Sequence, residues 1–108
     1  MIHELRVYQS NPGRMPALLN RFENIVMAIW KRHGFRQIGF WTSEVGSSNQ
    51  LLYYILAWES WDERERKFAS FRADPEWIEG FSQTEKDSPL IKSISNSILK
   101  PTNFSSIK

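Results

Sequence analysis

Two histidines, no cysteine and no recognisable nucleophile motif narrow the chemistry open to this 108-residue chain. His3 shares a strand-like segment with Leu5 and Val7, and a satisfied or half-exposed imidazole fits that setting better than a ligand does. His33 closes the run Lys31-Arg32-His33 at the end of a helical pattern, where the helix dipole favours a cation. The two are far apart in sequence and lack paired spacing, so no metal site is expected. Without cysteine there are no disulfides, thiolate ligands or sulfur nucleophile. G-x-S-x-G does not occur, Gly46-Ser47-Ser48 reads as a turn, and no glycine-rich phosphate loop follows a strand. Glu59, Asp62 and Glu63 are accounted for by a strand end and a helix cap. What remains is arginine, tyrosine and tryptophan. Arginine can clamp a carboxylate, tyrosine can donate a hydrogen bond or a proton, and tryptophan can stack on a flat ring.

These side chains must be placed by secondary structure, and the pattern supplies it. Ile2 to Gln9 alternates, with His3, Leu5 and Val7 on one side and Ile2, Glu4, Arg6 and Tyr8 on the other. Leu5 and Val7 read as the side packed on helices; the Glu4, Arg6, Tyr8 side meets water or lines a second, wetter interior. Asn11-Pro12-Gly13 turns the chain. From about Arg14, Leu18, Leu19, Phe22, Ile25, Val26, Ile29 and Trp30 recur at helical spacing, with Asn20, Arg21, Glu23, Asn24 and Lys31 opposite. Gly34 stops the helix. Phe35 to Ser43 reads as a strand, with Ile38 and Phe40 on one side and Gly39 and Trp41 on the other; Gly39 marks a close approach.

Glu44 to Gln50 is a polar hairpin loop, and Leu51 to Glu59 is apolar and aromatic almost throughout. Such a strand is buried on both faces. Ser60 and Glu63 form a capping box for a helix to about Ala73, with Trp61, Phe68 and Phe71 as core contacts. Asp74-Pro75 starts a short helix through about Phe81. After a loop from Gln83 to Pro89, Ile91 to Lys100 alternates again. The order is strand, helix, strand, strand, helix, short helix, strand. It predicts an α+β, ferredoxin-like split βαβ domain, a four-stranded antiparallel sheet with helices on one face. The bare face needs a cover. Two copies stacked sheet to sheet supply it, so a homodimer with a barrel-like centre is expected.

Composition sets the outer bounds. Hydrophobic residues make up 41%, charged residues 24% and aromatics 14%, a globular profile for one domain. The net charge is +2, and bases alternate with acids from Asp62 to Lys67 as on a solvated helix face, so no nucleic-acid partner is expected. No run approaches the roughly 18 apolar residues of a membrane span, and no basic start leads into an apolar stretch. A cytoplasmic protein is the expectation.

Six segments in order carry a family likeness: HELRVY (His3 to Tyr8), NPGRM (Asn11 to Met15), RHG (Arg32 to Gly34), GFWTSEVG (Gly39 to Gly46), LAWES (Leu56 to Ser60) and ERER (Glu63 to Arg66). DPEW (Asp74 to Trp77) adds to it. Their order and spacing resemble the NIPSNAP family over nearly the whole chain. The resemblance implies a dimeric α/β barrel of ferredoxin-like type, with one domain over 1–101 and a C-terminal tail over 102–108. It brings no catalytic set. By analogy with neighbouring dimeric α/β barrels, which hold ligands between sheet and helices, it implies a pocket lined by Arg6, Tyr8, Trp41, Tyr54 and Trp58; no cofactor and no metal are expected, since the two histidines lack paired spacing and none lies between Ser60 and Lys86. A small aromatic or carboxylate ligand suits such residues. Two readings stand side by side. One is a homodimeric small-molecule-binding protein, with a cofactor-independent oxygenase or isomerase as a form of it. The other is a non-enzymatic dimeric interaction or scaffold module, in which the aromatics are dimer core and Arg6 pairs with Glu4 or Glu59.

Overall fold

Leu51-Leu-Tyr-Tyr-Ile-Leu-Ala-Trp58 becomes a central strand because its β-branched, aromatic and aliphatic side chains fill both sides of a pleated sheet. The computed structural model describes residues 1–108. In it β1 (Ile2–Ser10), β2 (Arg36–Thr42), β3 (Leu51–Trp58) and β4 (Ile91–Leu99) form one sheet in the order β2-β3-β1-β4, antiparallel at every joint. The helices are α1 (Met15–Arg21), which continues through a π-helical turn at Phe22–Val26 into α2 (Met27–Arg32), then α3 (Trp61–Ala73) and α4 (Pro75–Thr84). All cover one face of the sheet. This is the expected ferredoxin-like architecture, and no helix is long and apolar enough to cross a membrane.

Local signals explain the helix ends. Gly34 has φ of +77°, a left-handed conformation that ends α2 while the Phe35 N–H donates back to the Trp30 carbonyl at 2.9 Å. Ser60 caps α3 by accepting from the Glu63 N–H at 3.1 Å, and the Glu63 carboxylate accepts the Glu59 N–H at 3.1 Å. Asp74 caps α4, accepting from the Glu76 N–H at 2.8 Å, with Pro75 in the first turn. The Asp74 carboxylate also binds His33 Nε2 at 2.7 Å and Arg32 Nη2 at 2.6 Å, so His33 is tied to the α3–α4 junction. Helix α4 runs on to Thr84, a turn beyond the expected stop, because the Thr84 hydroxyl donates to the Gly80 carbonyl at 2.8 Å and keeps the last turn closed.

The core lies between the sheet and the helices. Leu52, Tyr54, Leu56 and Trp58 of β3 meet Leu18, Phe22, Val26, Ile29 and Trp30 of the first helical rod and Phe68 and Phe71 of α3. Burying each large side chain contributes about 1.5–3 kcal/mol. Aromatic pairs organise the packing: Phe40 stacks on Tyr54 at 4.6 Å, Phe35 on Trp30 at 4.8 Å and Trp77 on Phe71 at 4.7 Å between ring centres.

Four expectations are corrected. On β1 the faces are reversed: Ile2, Glu4, Arg6 and Tyr8 face the helices, and His3, Leu5 and Val7 lie on the bare side, because Tyr8 pairs with Leu52 and Arg6 with Tyr54, both inward. On β2 the register slips between Gln37 and Gly39, and this bulge breaks strict alternation. Phe40 therefore stacks on inward Tyr54, whereas Ile38 lies with outward Ile55. Trp61 is 54% exposed and lies under the Arg64 guanidinium rather than in the core. Arg21 is only 2% exposed. The π turn that follows it is the reason: residues five apart stack in a π turn, whereas an α-helix separates them by roughly 140°. Arg21 and Val26 thus come to one wall.

Opposite the helices the sheet is broadly apolar, with Leu5, Val7, Leu51, Tyr53, Ile55, Ile38 and Trp41 at or near the surface. A Cβ on Gly39 would lie 2.8 Å from Trp41 Cη2, so the missing side chain lets the indole fold back over its own strand. The segment from Lys100 to Ile107 crosses one corner of this face and, with His3, Ile38 and Ile55, lines a hollow of about 390 Å³.

Candidate functional site

Near the start of β1, Glu4 is completely buried, and a lone carboxylate there would be prohibitively costly. It survives by accepting hydrogen bonds from every side. Its Oε1 takes the Trp58 indole N–H at 3.1 Å and Arg64 Nε at 2.8 Å. Its Oε2 takes Arg64 Nη2 at 2.9 Å, Asn96 Nδ2 at 2.9 Å and Arg6 Nη1 at 3.0 Å. Burial alone would push this carboxyl up, but the bonds from Arg64, Asn96 and Arg6 outweigh it and hold the pKa at about 2. Glu4 thereby ties β1, β3, β4 and α3 together. The Phe68 ring lies against both guanidinium groups, 5.1 Å from that of Arg6 and 5.0 Å from that of Arg64.

From Glu4 the network runs along the strand to the tyrosines. Arg6 donates through Nε to the Tyr54 hydroxyl at 2.7 Å and through Nη2 to the Tyr8 hydroxyl at 3.2 Å. Tyr54 in turn donates to Tyr8 at 2.9 Å. Burial first, and then the adjoining Tyr8 hydroxyl, push the Tyr54 phenol well above its ordinary value of 10, so it stays a donor. The Tyr8 oxygen accepts twice, and its own proton has no acceptor in the protein.

Tyr8 stands in the wall of a cavity of about 140 Å³ between the sheet and the helices, toward the β4 edge. Phe22, Val26 and Trp30 close it from the first helical rod, Phe71, Trp77 and Phe81 from α3 and α4, and Ile91 and Ile94 from β4. Apart from the Tyr8 phenol, the one polar wall residue is Arg21, reaching in from the end of α1. A dry apolar space of roughly 150 Å³ accepts a benzene-sized ring. The Trp30 indole N–H is buried without a partner, a second unspent donor among the wall residues.

Of the residues expected to share a pocket, Arg6, Tyr8, Tyr54 and Trp58 lie together on the helix-covered face. Trp41 does not join them. It pairs with Tyr53 on the opposite face, where it is 52% exposed, because the β2 register leaves Phe40 as the inward neighbour of Tyr54. Among the four, Tyr8 alone lines the cavity; Arg6, Tyr54 and Trp58 lie behind it in the Glu4 network. Sequence reasoning missed Arg64 and Asn96, which bind Glu4 from α3 and β4, and the wall residues Arg21, Trp77 and Phe81. The helical periodicity around Trp77 and Phe81 was a usable signal for the last two.

Comparison with known proteins follows the same lines. A family-level profile of NIPSNAP matches residues 3–106. A NIPSNAP family protein with unknown function from Agrobacterium tumefaciens is 34% identical, superposes with a TM-score of 0.87, and the match covers 100% of this chain and 94% of that one. An uncharacterized NIPSNAP-like domain protein from Burkholderia xenovorans is 30% identical with a TM-score of 0.84, over 96% of this chain and 87% of that one. A Nitrosomonas europaea protein assigned as an antibiotic biosynthesis monooxygenase shares the fold at 9% identity, with a TM-score of 0.64 over 94% and 98% of the two chains. No curated protein matches the sequence. With a match spanning almost its whole length and relatives alike in sequence and fold, the chain belongs to the NIPSNAP family.

Proposed function

We propose that this protein is a homodimer that binds a small, flat, mainly apolar ligand in the cavity between its sheet and its helices. The observation that carries the reading is the cavity itself: about 140 Å³, walled by aromatic rings, with the Tyr8 hydroxyl proton unspent. In this role Arg6, Tyr54 and Trp58 do not touch the ligand. They hold Tyr8 and the sheet in place through Glu4, and each nitrogen of Arg6 is already engaged by Glu4, Tyr54 or Tyr8. No carboxylate or imidazole stands in the wall, which favours binding over an oxygenase or isomerase that draws a proton from its substrate. Trp41 belongs to the second half of the proposal. With Leu5, Val7, Tyr53 and Ile55 it forms an apolar sheet face of the kind that pairs with a second copy.

The test is blockage of the cavity. Ile94 lines it and is 49% exposed, so Ile94→Trp fills the mouth with little risk to folding. Wild-type protein should show saturable ethylbenzene binding in ligand-observed NMR, and Ile94→Trp should lose it. Absence of saturable binding to the wild type, or equal binding to the variant, rejects the cavity as the site. The arginine pairing supports a second reading, a non-enzymatic dimeric module, because Arg6 does pair with Glu4 at 3.0 Å. Under that reading no ring compound binds, while the dimer persists.

A further inference from the structure

Arg21 is the one charged side chain in the cavity wall, and it is 2% exposed. Its position is fixed from behind. Nε donates to the Thr84 hydroxyl at 2.8 Å, and Nη2 donates to Glu85 Oε2 at 2.5 Å. Thr84 is itself anchored to the Gly80 carbonyl, and the same Glu85 oxygen accepts the Leu90 N–H at 3.1 Å. The guanidinium lies 5.0 Å from the centre of the Phe81 ring and 5.8 Å from that of Trp77. Nη1, by contrast, donates to no acceptor in the protein, and it is not among the unpartnered polar atoms sealed from solvent. The cavity is the space that Arg21 lines.

The charge at this end of the cavity is already spent. Glu85 cancels the guanidinium, so an entering ligand meets N–H donors without net charge. A carboxylate would lose its hydration against a neutral pair and approach the Glu85 oxygens, whereas a carbonyl keeps one good hydrogen bond and sheds little water. Resting on the reading of this cavity as a ligand site, we infer that the ligand is an uncharged aromatic carbonyl compound. Its oxygen accepts from Arg21 Nη1, its ring lies among Phe22, Phe71, Trp77 and Phe81, and Glu85 is the specificity-determining residue that turns aromatic acids away.

Three probes of nearly equal size separate the possibilities: ethylbenzene, acetophenone and benzoate, titrated into the full-length protein by ligand-observed NMR at pH 7. Wild-type protein should bind acetophenone at least tenfold more tightly than either of the others. Glu85→Gln keeps an acceptor for the Leu90 N–H but frees the guanidinium charge, and should shift the benzoate-to-acetophenone affinity ratio at least tenfold toward benzoate. Arg21→Met should lose most of the preference for acetophenone over ethylbenzene, leaving only what the Tyr8 hydroxyl and the Trp30 indole N–H can supply. If Arg21→Met does not fold, the Glu85→Gln ratio decides alone. Equal binding of ethylbenzene and acetophenone to the wild type overturns the inference while leaving the cavity as a ring site. Benzoate as the tightest wild-type ligand overturns it as well. Failure of all three probes removes the cavity reading and this inference together.

Discussion

Replacing Glu4 by glutamine tests whether one buried carboxylate holds the sheet to α3. In the wild type the two carboxylate oxygens accept from Arg6, Trp58, Asn96 and, twice, Arg64. Glutamine keeps one acceptor oxygen and turns an amide donor toward groups that are donors themselves, leaving two guanidinium groups without their counter-charge. Removing one member of a buried ion pair costs on the order of 3–5 kcal/mol. The acid response gives a second, independent magnitude. Folding lowers the Glu4 pKa from 4.5 to about 2, which corresponds to roughly 3 kcal/mol. Because the folded value is the lower one, the unfolded chain takes up the proton first. The stabilisation is therefore complete above about pH 4.5 and is lost as pH falls through about 2. Urea unfolding of both proteins at matched concentration, followed by tryptophan fluorescence from pH 7 down to pH 2.5, reads the two quantities together. The stability gap should be several kcal/mol at pH 7 and should lose most of about 3 kcal/mol by pH 2.5. A gap below about 1 kcal/mol at neutral pH, or one that stays constant across that range, would refute the reasoning.

Two further outcomes follow from packing. Ile55 lies near the middle of the bare sheet face, so Ile55→Asp should leave the far-UV circular dichroism unchanged while converting a sedimenting dimer into a monomer; a dimeric variant, or a monomeric wild type, counts against sheet-to-sheet pairing. A Cβ on Gly80 would lie 2.8 Å from Ile25 Cγ2, a branch carbon with little freedom to retreat. Overpacking of about 1–3 kcal/mol should therefore exceed the gain in helix propensity of about 1 kcal/mol, and Gly80→Ala should lower the melting temperature. In an Ile25→Ala background the same change should become neutral or stabilising, and a rise in melting temperature in the wild-type background would contradict the contact.

Much of the fold was legible because its signals are local. The capping residues Ser60 and Asp74, the stop at Gly34 and the unbroken apolar run of β3 each act through their near neighbours, and each lies where the pattern put it. The faces of β1 were not legible. Leu5 and Val7 look like core, and Glu4, Arg6 and Tyr8 look like surface, until the partners of Glu4 are known. Those partners, Trp58, Arg64 and Asn96, are between 54 and 92 residues away in sequence, and no periodicity records them. A polar face can be the buried one when its charges are satisfied internally and the apolar face is left to another surface.

The candidate site was less legible still, for a related reason. Arg6 and Tyr8 attract notice by residue type, yet Arg6 serves the scaffold and only Tyr8 reaches the cavity. Arg21 fell on the polar side of an ideal helix, and the π turn that puts it in the same wall as Val26 leaves no mark in a pattern read at 3.6 residues per turn. Trp41 was misplaced by the single bulge in β2, since one extra residue moves every later side chain to the other face. The errors at Arg21 and Trp41 are changes of phase, and each falls where a regular element is interrupted. The interruptions have consequences on both sides of the sheet. One brings a neutralised arginine to the aromatic cavity, and the other turns a tryptophan outward onto the bare face. Regular periodicity built the layers of this protein, and the departures from it at the π turn and the β2 bulge selected which side chains the cavity and the bare face present.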